Sequence, residues 1–146
     1  PTLIHKDAER VLFDLKNRGF KLGLVSNTGP TSGGLIRRFL ETKRLAYFFD
    51  TMTFSDEAGF AKPAREIFIN TLTELGSNSE EAVHVGDDLN TDIFGANRAG
   101  LKTIWVQGAT LPLSDKEIGR LPSPDEMVSD LSQIPRAVKN LYEGHS

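Results

Sequence analysis

The sequence has 146 residues and contains no cysteine. Disulfide bonds, zinc sites with thiolate ligands, iron–sulfur clusters and a cysteine nucleophile are therefore all excluded. A chain without cysteine suits a reducing compartment, and we expect a cytoplasmic protein.

Long runs of basic residues and long runs of apolar residues are also missing. The chain has 17 Lys and Arg against 20 Asp and Glu, a net charge of -3, and no basic patch that could follow a phosphate backbone. No apolar run approaches the ~20 residues of a membrane span. The first ten residues lack the basic and then apolar order of a signal peptide. We therefore expect neither nucleic acid nor a membrane as a partner.

The residues that are present are typical of one globular domain. Hydrophobic residues make up 38% and charged residues 25% of the chain, close to the averages of globular proteins. No internal repeat, low-complexity tract or change of composition divides the sequence. A chain of this length favours one domain, so we predict a single domain over residues 1–146.

Short apolar runs rich in β-branched residues alternate with longer amphipathic segments, which predicts an α/β fold with a Rossmann-like parallel sheet flanked by helices. The predicted strands are Lys21–Ser26, Thr51–Ser55, Ala82–Val85, Lys102–Val106 and Met127–Val128. The predicted helices are Lys6–Arg18, Thr31–Lys43, Arg65–Leu75, Thr91–Ala99 and Leu131–Leu141. Left-handed helix ends are predicted at Gly19, Gly76 and Gly100, and a surface loop at Gly108–Pro124.

Ligands of such sheets bind beyond the carboxyl ends of the strands, and polar residues stand there. The first predicted strand ends in Ser26 and Asn27, followed by Thr28 and Gly29. A hydroxyl group and exposed backbone N–H groups are suitable donors to a phosphate. The alternative is a turn in which Ser26 and Asn27 bond their own backbone.

Lys62 precedes Pro63 and a predicted helix. Proline biases the preceding residue towards an extended conformation, and the ammonium group of Lys62 is a compact charge suited to a phosphate or a carboxylate. The alternative is a lysine exposed to solvent, as most lysines are.

The third predicted strand is followed by Asp87, Asp88 and Asp92. Carboxylates at this density repel one another unless a cation or solvent compensates them, and hard oxygen ligands suit Mg²⁺. Capping of the following helix by Asp88 or Asn90 is the alternative, and both interpretations can hold together. A calcium-binding EF-hand is excluded, because Ile93 stands where that loop requires glycine.

The order of these three segments resembles the haloacid dehalogenase-like (HAD) hydrolase superfamily over nearly the whole chain. Leu24-Val25-Ser26-Asn27 is similar to the second motif of that family, Lys62-Pro63 to the third, and Gly86-Asp87-Asp88 through Asp92 to the fourth. A receiver domain also combines acidic residues, a hydroxyl and a lysine, but there the acidic pair comes first and the lysine last.

The resemblance implies a role for each matching residue. Ser26 and Lys62 are expected to be catalytic, and together with Asn27 to hold the phosphate of the substrate. Asp87 is expected to be the first ligand of a Mg²⁺ cofactor, with Asp88 and Asp92 completing or orienting the metal site.

One family motif has no match in this chain. Members open with an Asp-x-Asp motif after their first, central strand, whose first Asp attacks phosphorus, and no such tripeptide occurs here. Asp14 is the nearest imitation, but only eleven residues separate it from Ser26, too few for a strand, a helix and a second strand, so we predict that Asp14 lies on a helix. The resemblance then implies a sheet without its first, central strand, and no inserted cap domain.

These considerations predict the carboxyl-terminal part of a Mg²⁺-dependent phosphatase that acts on a small phosphorylated molecule through an aspartyl-phosphate. Two alternatives stay open: a non-catalytic phosphate-binding or interaction module on the same scaffold, and a 2-haloacid dehalogenase. Strand edges left open at the centre of the sheet also predict self-association.

Overall fold

A computed structural model of the chain describes residues 3–107 and 123–143. The strands are β1 Gly23–Ser26, β2 Thr51–Phe54, β3 Val83–Gly86, β4 Lys102–Val106 and β5 Glu126–Val128. The α-helices are α1 Leu3–Asn17, α2 Gly33–Thr42, α3 Ser55–Ala58, α4 Arg65–Leu75, α5 Phe94–Arg98 and α6 Ile134–Glu143. All five predicted strands and all five predicted helices are present, and the predicted α/β class is confirmed.

Every strand pair in the described residues is parallel. Strand β1 pairs with β2, with Gly23 opposite Thr51 and Ser26 opposite Phe54. Strands β3, β4 and β5 form a second sheet in that order. Parallel order brings the carboxyl ends of neighbouring strands to one edge, so the loops after β1 and β2, and those after β3 and β4, lie on the same side of their sheets.

Apolar side chains form two separate buried clusters. One cluster lies between α1, α6 and the β3–β5 sheet and is centred on Val11, Ile104 and Val138. The other lies between α4, α5 and strand residues and is centred on Ile67, Phe68 and Ala96. Helices therefore flank the strands in two layers, as the alternating pattern predicted.

A groove of about 660 Å³ lies between β1 and β3. Residues 22–25 line one side of it, residues 82–85 line the other, and side chains of α1, α4 and α6 form its floor. In the described residues these two strands belong to separate sheets and do not pair with each other. The groove stands where the resemblance places the first, central strand, and the absence of that strand stays a prediction.

Several element boundaries differ from the predictions for local reasons. Strand β1 begins at Gly23 rather than Lys21, because the backbone N–H of Leu22 donates to the Asp50 carboxylate at 2.7 Å. The short helix α3 and the 3-10 turns Ala46–Phe48 and Ser79–Glu81 are too short for a periodic signal.

Three helix ends follow the predicted pattern. Gly19, Gly76 and Gly100 have φ values of 90°, 69° and 91°, so all three glycines adopt the left-handed conformation. Asp130 accepts from the backbone N–H of Ser132 at 2.9 Å, at the turn that leads into α6. Most of the predicted loop Gly108–Pro124 lies outside the described residues. No helix within residues 3–107 and 123–143 combines the length and apolarity needed to cross a membrane.

Candidate functional site

The loops that follow β1 and β3 are joined by a continuous path of hydrogen bonds. The path begins at the Asn27 side chain, passes through Lys62 and ends at the Asp92 carboxylate and the backbone of Asp88. All three sequence segments singled out above contribute to it. The fold therefore brings together Asn27, Lys62 and Asp92, which lie up to 65 positions apart in the sequence.

Asn27 is bonded to the main chain of Lys62 in both directions. The Oδ1 atom of Asn27 accepts from the Lys62 N–H at 2.7 Å, and its Nδ2 donates to the Lys62 carbonyl at 3.0 Å. The interpretation as a turn that bonds its own backbone is therefore wrong for this side chain. The hydroxyl of Ser26, half-buried at the end of β1, makes no hydrogen bond within the described residues, so it is free to donate to an anion.

A second network fixes the loop after β1, and sequence reasoning missed it. Ser55 accepts from the Thr28 N–H at 2.7 Å, and the two hydroxyls lie 2.9 Å apart. The Thr28 hydroxyl accepts from the Asp56 N–H at 3.1 Å, and the Asp56 carboxylate accepts from the Gly33 N–H at 2.9 Å. Strands β1 and β2 end side by side, with Ser26 opposite Phe54. Thr28 and Ser55 follow these two strand ends, and the presence of a hydroxyl residue after each is a sequence signal for their contact.

Lys62 and Asp92 form a buried ion pair. The Lys62 Nζ lies 2.5 Å from the Asp92 Oδ1, and the side chains are only 12% and 6% exposed. Burial alone would raise the pKa of Asp92, but hydrogen bonds from His84 and Lys62 outweigh burial and lower that pKa to about 2. Asp92 is therefore a stable anion at neutral pH, and Lys62 is not the exposed lysine of the alternative interpretation.

His84 is the clearest residue of the site that sequence reasoning missed. Its Nε2 lies 3.0 Å from the Asp92 Oδ1, and its ring packs edge-on against Phe68 with centroids 5.0 Å apart. Because an ionised carboxylate can only accept, His84 donates through a protonated Nε2. A period of two along β3 places His84 on the same face as Gly86, and that alternation is the signal that points to it.

Two glycines allow the close packing of this site. A Cβ on Gly86 would lie 2.3 Å from the Asp92 Cγ, so only glycine leaves room for the Asp92 carboxylate beside β3. A Cβ on Gly95 would lie 2.8 Å from the Pro63 Cα, so glycine lets α5 approach the segment that carries Lys62.

Asp87 and Asp88 differ in what their carboxylates do. The Asp88 Oδ1 accepts from the N–H groups of Asn90 and Thr91 at 2.8 and 3.0 Å, which caps the π-helical turn Leu89–Ile93. The Asp87 carboxylate is exposed and has no partner in the described residues. The Asp87 carbonyl accepts from the Trp105 Nε1 at 3.0 Å, which anchors the loop.

The donor set at the end of β3 fits a magnesium ion. Mg²⁺ uses one or two protein carboxylates and keeps several waters, and Asp87 supplies one unpaired carboxylate at the end of a strand. Asp92 is already engaged with Lys62 and His84, and no group of three metal-binding side chains occurs among residues 3–107 and 123–143. The assignment of Asp87, Asp88 and Asp92 to a metal site therefore stays a prediction, with Asp87 as the residue best placed to hold the ion.

Asp14 lies within α1, as the spacing to Ser26 predicted. Its carboxylate pairs with the Arg18 Nε at 3.2 Å, one helical turn away. Asp14 therefore takes no part in the hydrogen-bonded path that joins the loops after β1 and β3.

Known proteins are similar to this chain in sequence, and solved structures are similar to it in fold. The chain is 34% identical over 125 residues to the glyceraldehyde 3-phosphate phosphatase of Methanothermobacter thermautotrophicus, covering 84% of this chain and 53% of that protein. It is 34% identical over 131 residues to the phosphoserine phosphatase of Thermus thermophilus, covering 90% of this chain and 49% of that protein. The chain thus spans about half the length of the curated relatives it matches.

A solved structure described as a HAD phosphatase from Thermococcus onnurineus superimposes with a TM-score of 0.75 at 28% identity, covering 88% of this chain and 55% of that one. Residues 4–106 match the family described as haloacid dehalogenase-like hydrolase, a range that contains every residue of the site above. The chain belongs to the haloacid dehalogenase-like hydrolases.

Proposed function

We propose that this chain is part of a Mg²⁺-dependent phosphatase that acts on a small phosphorylated metabolite through an aspartyl-phosphate. One observation carries the proposal: Lys62 is bonded to Asn27 through its main chain and to Asp92 through its ammonium, and so joins the loop after β1 to the loop after β3. The first loop carries the free Ser26 hydroxyl and the second the free Asp87 carboxylate, neither of which has a partner in the described residues. Relatives named as phosphatases of glyceraldehyde 3-phosphate and of phosphoserine support the reaction class.

Each residue has a defined task in this proposal. The Ser26 hydroxyl donates to a phosphoryl oxygen, and the Lys62 ammonium balances the negative charge that gathers around the phosphorus. Asp92 holds the ammonium in place, and Asp87 with Asp88 beside it holds the metal ion. When bound, Mg²⁺ supplies further charge neutralisation of the phosphoryl group.

The nucleophile is not supplied by this sequence. No Asp-x-Asp tripeptide occurs in it, and Asp14 is paired with Arg18 on α1. We therefore expect no sustained hydrolysis of an aryl phosphate by the purified chain. Turnover that persists in a Ser26→Ala variant would come from a contaminant, whereas turnover lost in an Asp14→Asn variant would make Asp14 the nucleophile and overturn this expectation.

Binding of Mg²⁺ with inorganic phosphate tests the proposed site directly. Calorimetry is expected to show weak binding that is lost in Asp87→Asn, because this substitution removes the one carboxylate at the end of β3 that has no hydrogen-bond partner in the described residues. Asp7→Asn on α1 is the control for the loss of one carboxylate away from the site. Asp125 is not used for this purpose, because its carboxylate accepts a hydrogen bond from the Thr103 N–H. Equal binding by Asp87→Asn and the unaltered chain would remove the metal assignment.

The missing tripeptide also favours a second candidate function. A module that binds phosphate without cleaving it would need the same cation and hydroxyl and no nucleophile. Assays of phosphate release separate the phosphatase from the binding module, because the module binds phosphate esters without releasing phosphate. The dehalogenase alternative uses no Mg²⁺, so calorimetry with phosphate and metal separates it from the other two.

A further inference from the structure

We propose that the Asn27 side chain is a positioning residue that holds the main chain of Lys62, rather than a direct ligand of the phosphate. This inference deepens the proposed function and rests on it, because one of its two tests measures phosphate binding. It also assigns to Asn27 a task that differs from the one predicted from the sequence.

Both hydrogen bonds that the Asn27 side chain makes within the described residues go to one residue. The amide oxygen accepts from the Lys62 N–H and the amide nitrogen donates to the Lys62 carbonyl, at 2.7 and 3.0 Å. An amide that bonds both main-chain groups of a single residue fixes that residue's position and orientation together. The second N–H of the Asn27 Nδ2 is the one donor left for an anion, and the two bonds to Lys62 fix the direction in which it points.

The segment that carries Lys62 has few other attachments. Apart from a local bond from the Ala64 N–H to the Ala61 carbonyl, residues 60–63 make hydrogen bonds within the described chain only with Asn27, at the Lys62 main chain, and with Asp92, at the Lys62 Nζ. Pro63 also lies close to Gly95 of α5. Phe60 and Ala61 are exposed, so packing holds them weakly. Within the described residues, Asn27 therefore makes the only hydrogen bonds to the Lys62 main chain, and its loss should free that main chain to move.

The position of the ammonium group follows from that of the backbone. The Lys62 Nζ stands at the end of a flexible stem of four carbons, so movement of the Lys62 backbone widens the range of positions that the ammonium can take around the Asp92 carboxylate. Asn27 holds the near end of Lys62 and Asp92 holds the far end. Loss of the Asn27 amide should loosen the ammonium without removing any charge.

The reactivity of Lys62 towards an amine-specific reagent measures this loosening in the chain as it is. Labelling with an N-hydroxysuccinimide ester, followed by peptide mass spectrometry, is expected to be about fivefold faster at Lys62 in Asn27→Ala than in the unaltered chain, as loss of one or two hydrogen bonds implies. Asn27→Asp keeps the acceptor and loses the donor, so it should fall between the two. Exposed Lys139 is the internal reference, and Asn70→Ala, on the exposed face of α4, is the matched control.

A double-mutant cycle then separates positioning from direct contact. The dissociation constant of inorganic phosphate in the presence of Mg²⁺ is measured for the unaltered chain, Asn27→Ala, Lys62→Met and the double variant. If Asn27 acts through Lys62, its substitution weakens binding about fivefold when Lys62 is present and less than twofold when Lys62 is Met. Equal losses in both backgrounds would show that Asn27 touches the phosphate and would overturn the inference.

The two measurements fail separately. Unchanged labelling of Lys62 in both Asn27 variants overturns the positioning role, whatever phosphate does. Absence of phosphate binding by the unaltered chain counts against the proposed function, while the labelling result still decides the role of Asn27. If Asn27→Ala does not fold, Asn27→Asp supplies the labelling comparison.

Discussion

A synthetic peptide that carries an apolar strand ending in Asp-x-Asp-x-Thr is expected to raise the unfolding temperature of this chain. The groove between residues 22–25 and 82–85 presents strand backbone on both sides, and buried backbone groups left without partners cost about 1 to 3 kcal/mol each. A peptide strand would pair with both edges. At a hundredfold excess over its Kd it would stabilise the chain by about 2.7 kcal/mol, which corresponds to roughly 10 °C for a chain of this size.

Three control peptides distinguish backbone pairing, the nucleophilic carboxylate and nonspecific binding. A proline at the centre of the peptide strand should abolish the stabilisation, because proline donates no backbone hydrogen bond. Replacement of the first Asp by Asn should keep the stabilisation and remove any hydrolysis of an aryl phosphate that the original peptide confers. A scrambled peptide controls for nonspecific binding. All measurements are accompanied by size analysis, since open strand edges predict self-association.

One result would contradict this account of the sheet. A monomer that unfolds sharply at high temperature without the peptide, and does so at the same temperature with it, has no open edges to fill. The order of strands implied by the family resemblance would then be wrong at its centre.

The elements of this fold were predictable because each carries its own local signal. Helix α4 and strand β4 have the predicted bounds, since Arg65–Leu75 has a clear apolar period and Lys102–Val106 is rich in β-branched and aromatic residues after its lysine. The left-handed ends at Gly19, Gly76 and Gly100 follow from the one residue type that adopts a positive φ at little cost. Such signals depend only on neighbours in the sequence.

The side-chain contacts of the site join residues that are far apart in the sequence, so no local sequence pattern predicts them. Sequence reasoning placed Asn27, Lys62 and Asp92 at one end of the sheet, but it did not show that Asn27 bonds the Lys62 main chain or that Asp92 is buried beneath Lys62. Both contacts join residues at least 30 positions apart. His84 was missed for a related reason, because its partner Asp92 lies in the following turn rather than on β3.

Asp92→Asn is expected to destabilise the chain by about 3 kcal/mol, since removal of one partner from a buried ion pair leaves the other charge uncompensated. Lys62 and Asp92 are both largely buried, so solvent cannot replace the lost carboxylate. The double variant Lys62→Met with Asp92→Asn buries no unpaired charge and should recover much of that loss. Chemical unfolding of the four proteins, without divalent metal, gives the coupling between the two positions.

Glu57→Gln is the matched control for this cycle. It disrupts the Arg37–Glu57 pair, whose side chains are 35% and 45% exposed, and exposed pairs contribute little because solvent and salt screen them. A cost for Asp92→Asn as small as that of Glu57→Gln would contradict the account of Asp92 as a buried anion.

Asp92→Asn should also change how the free energy of unfolding depends on pH. The pKa of Asp92 is about 2 in the folded chain and 3.8 is its ordinary value, so the stabilisation is fully present above about pH 4 and is lost as the pH falls towards 2. The shift corresponds to roughly 2 kcal/mol. Asp50 also has a lowered pKa, through hydrogen bonds from Lys16 and Leu22, but it titrates in both proteins and cancels from the comparison. Between pH 4 and pH 2 the unaltered chain should therefore lose about 2 kcal/mol more stability than Asp92→Asn, and parallel pH profiles would assign the acid sensitivity to other carboxylates.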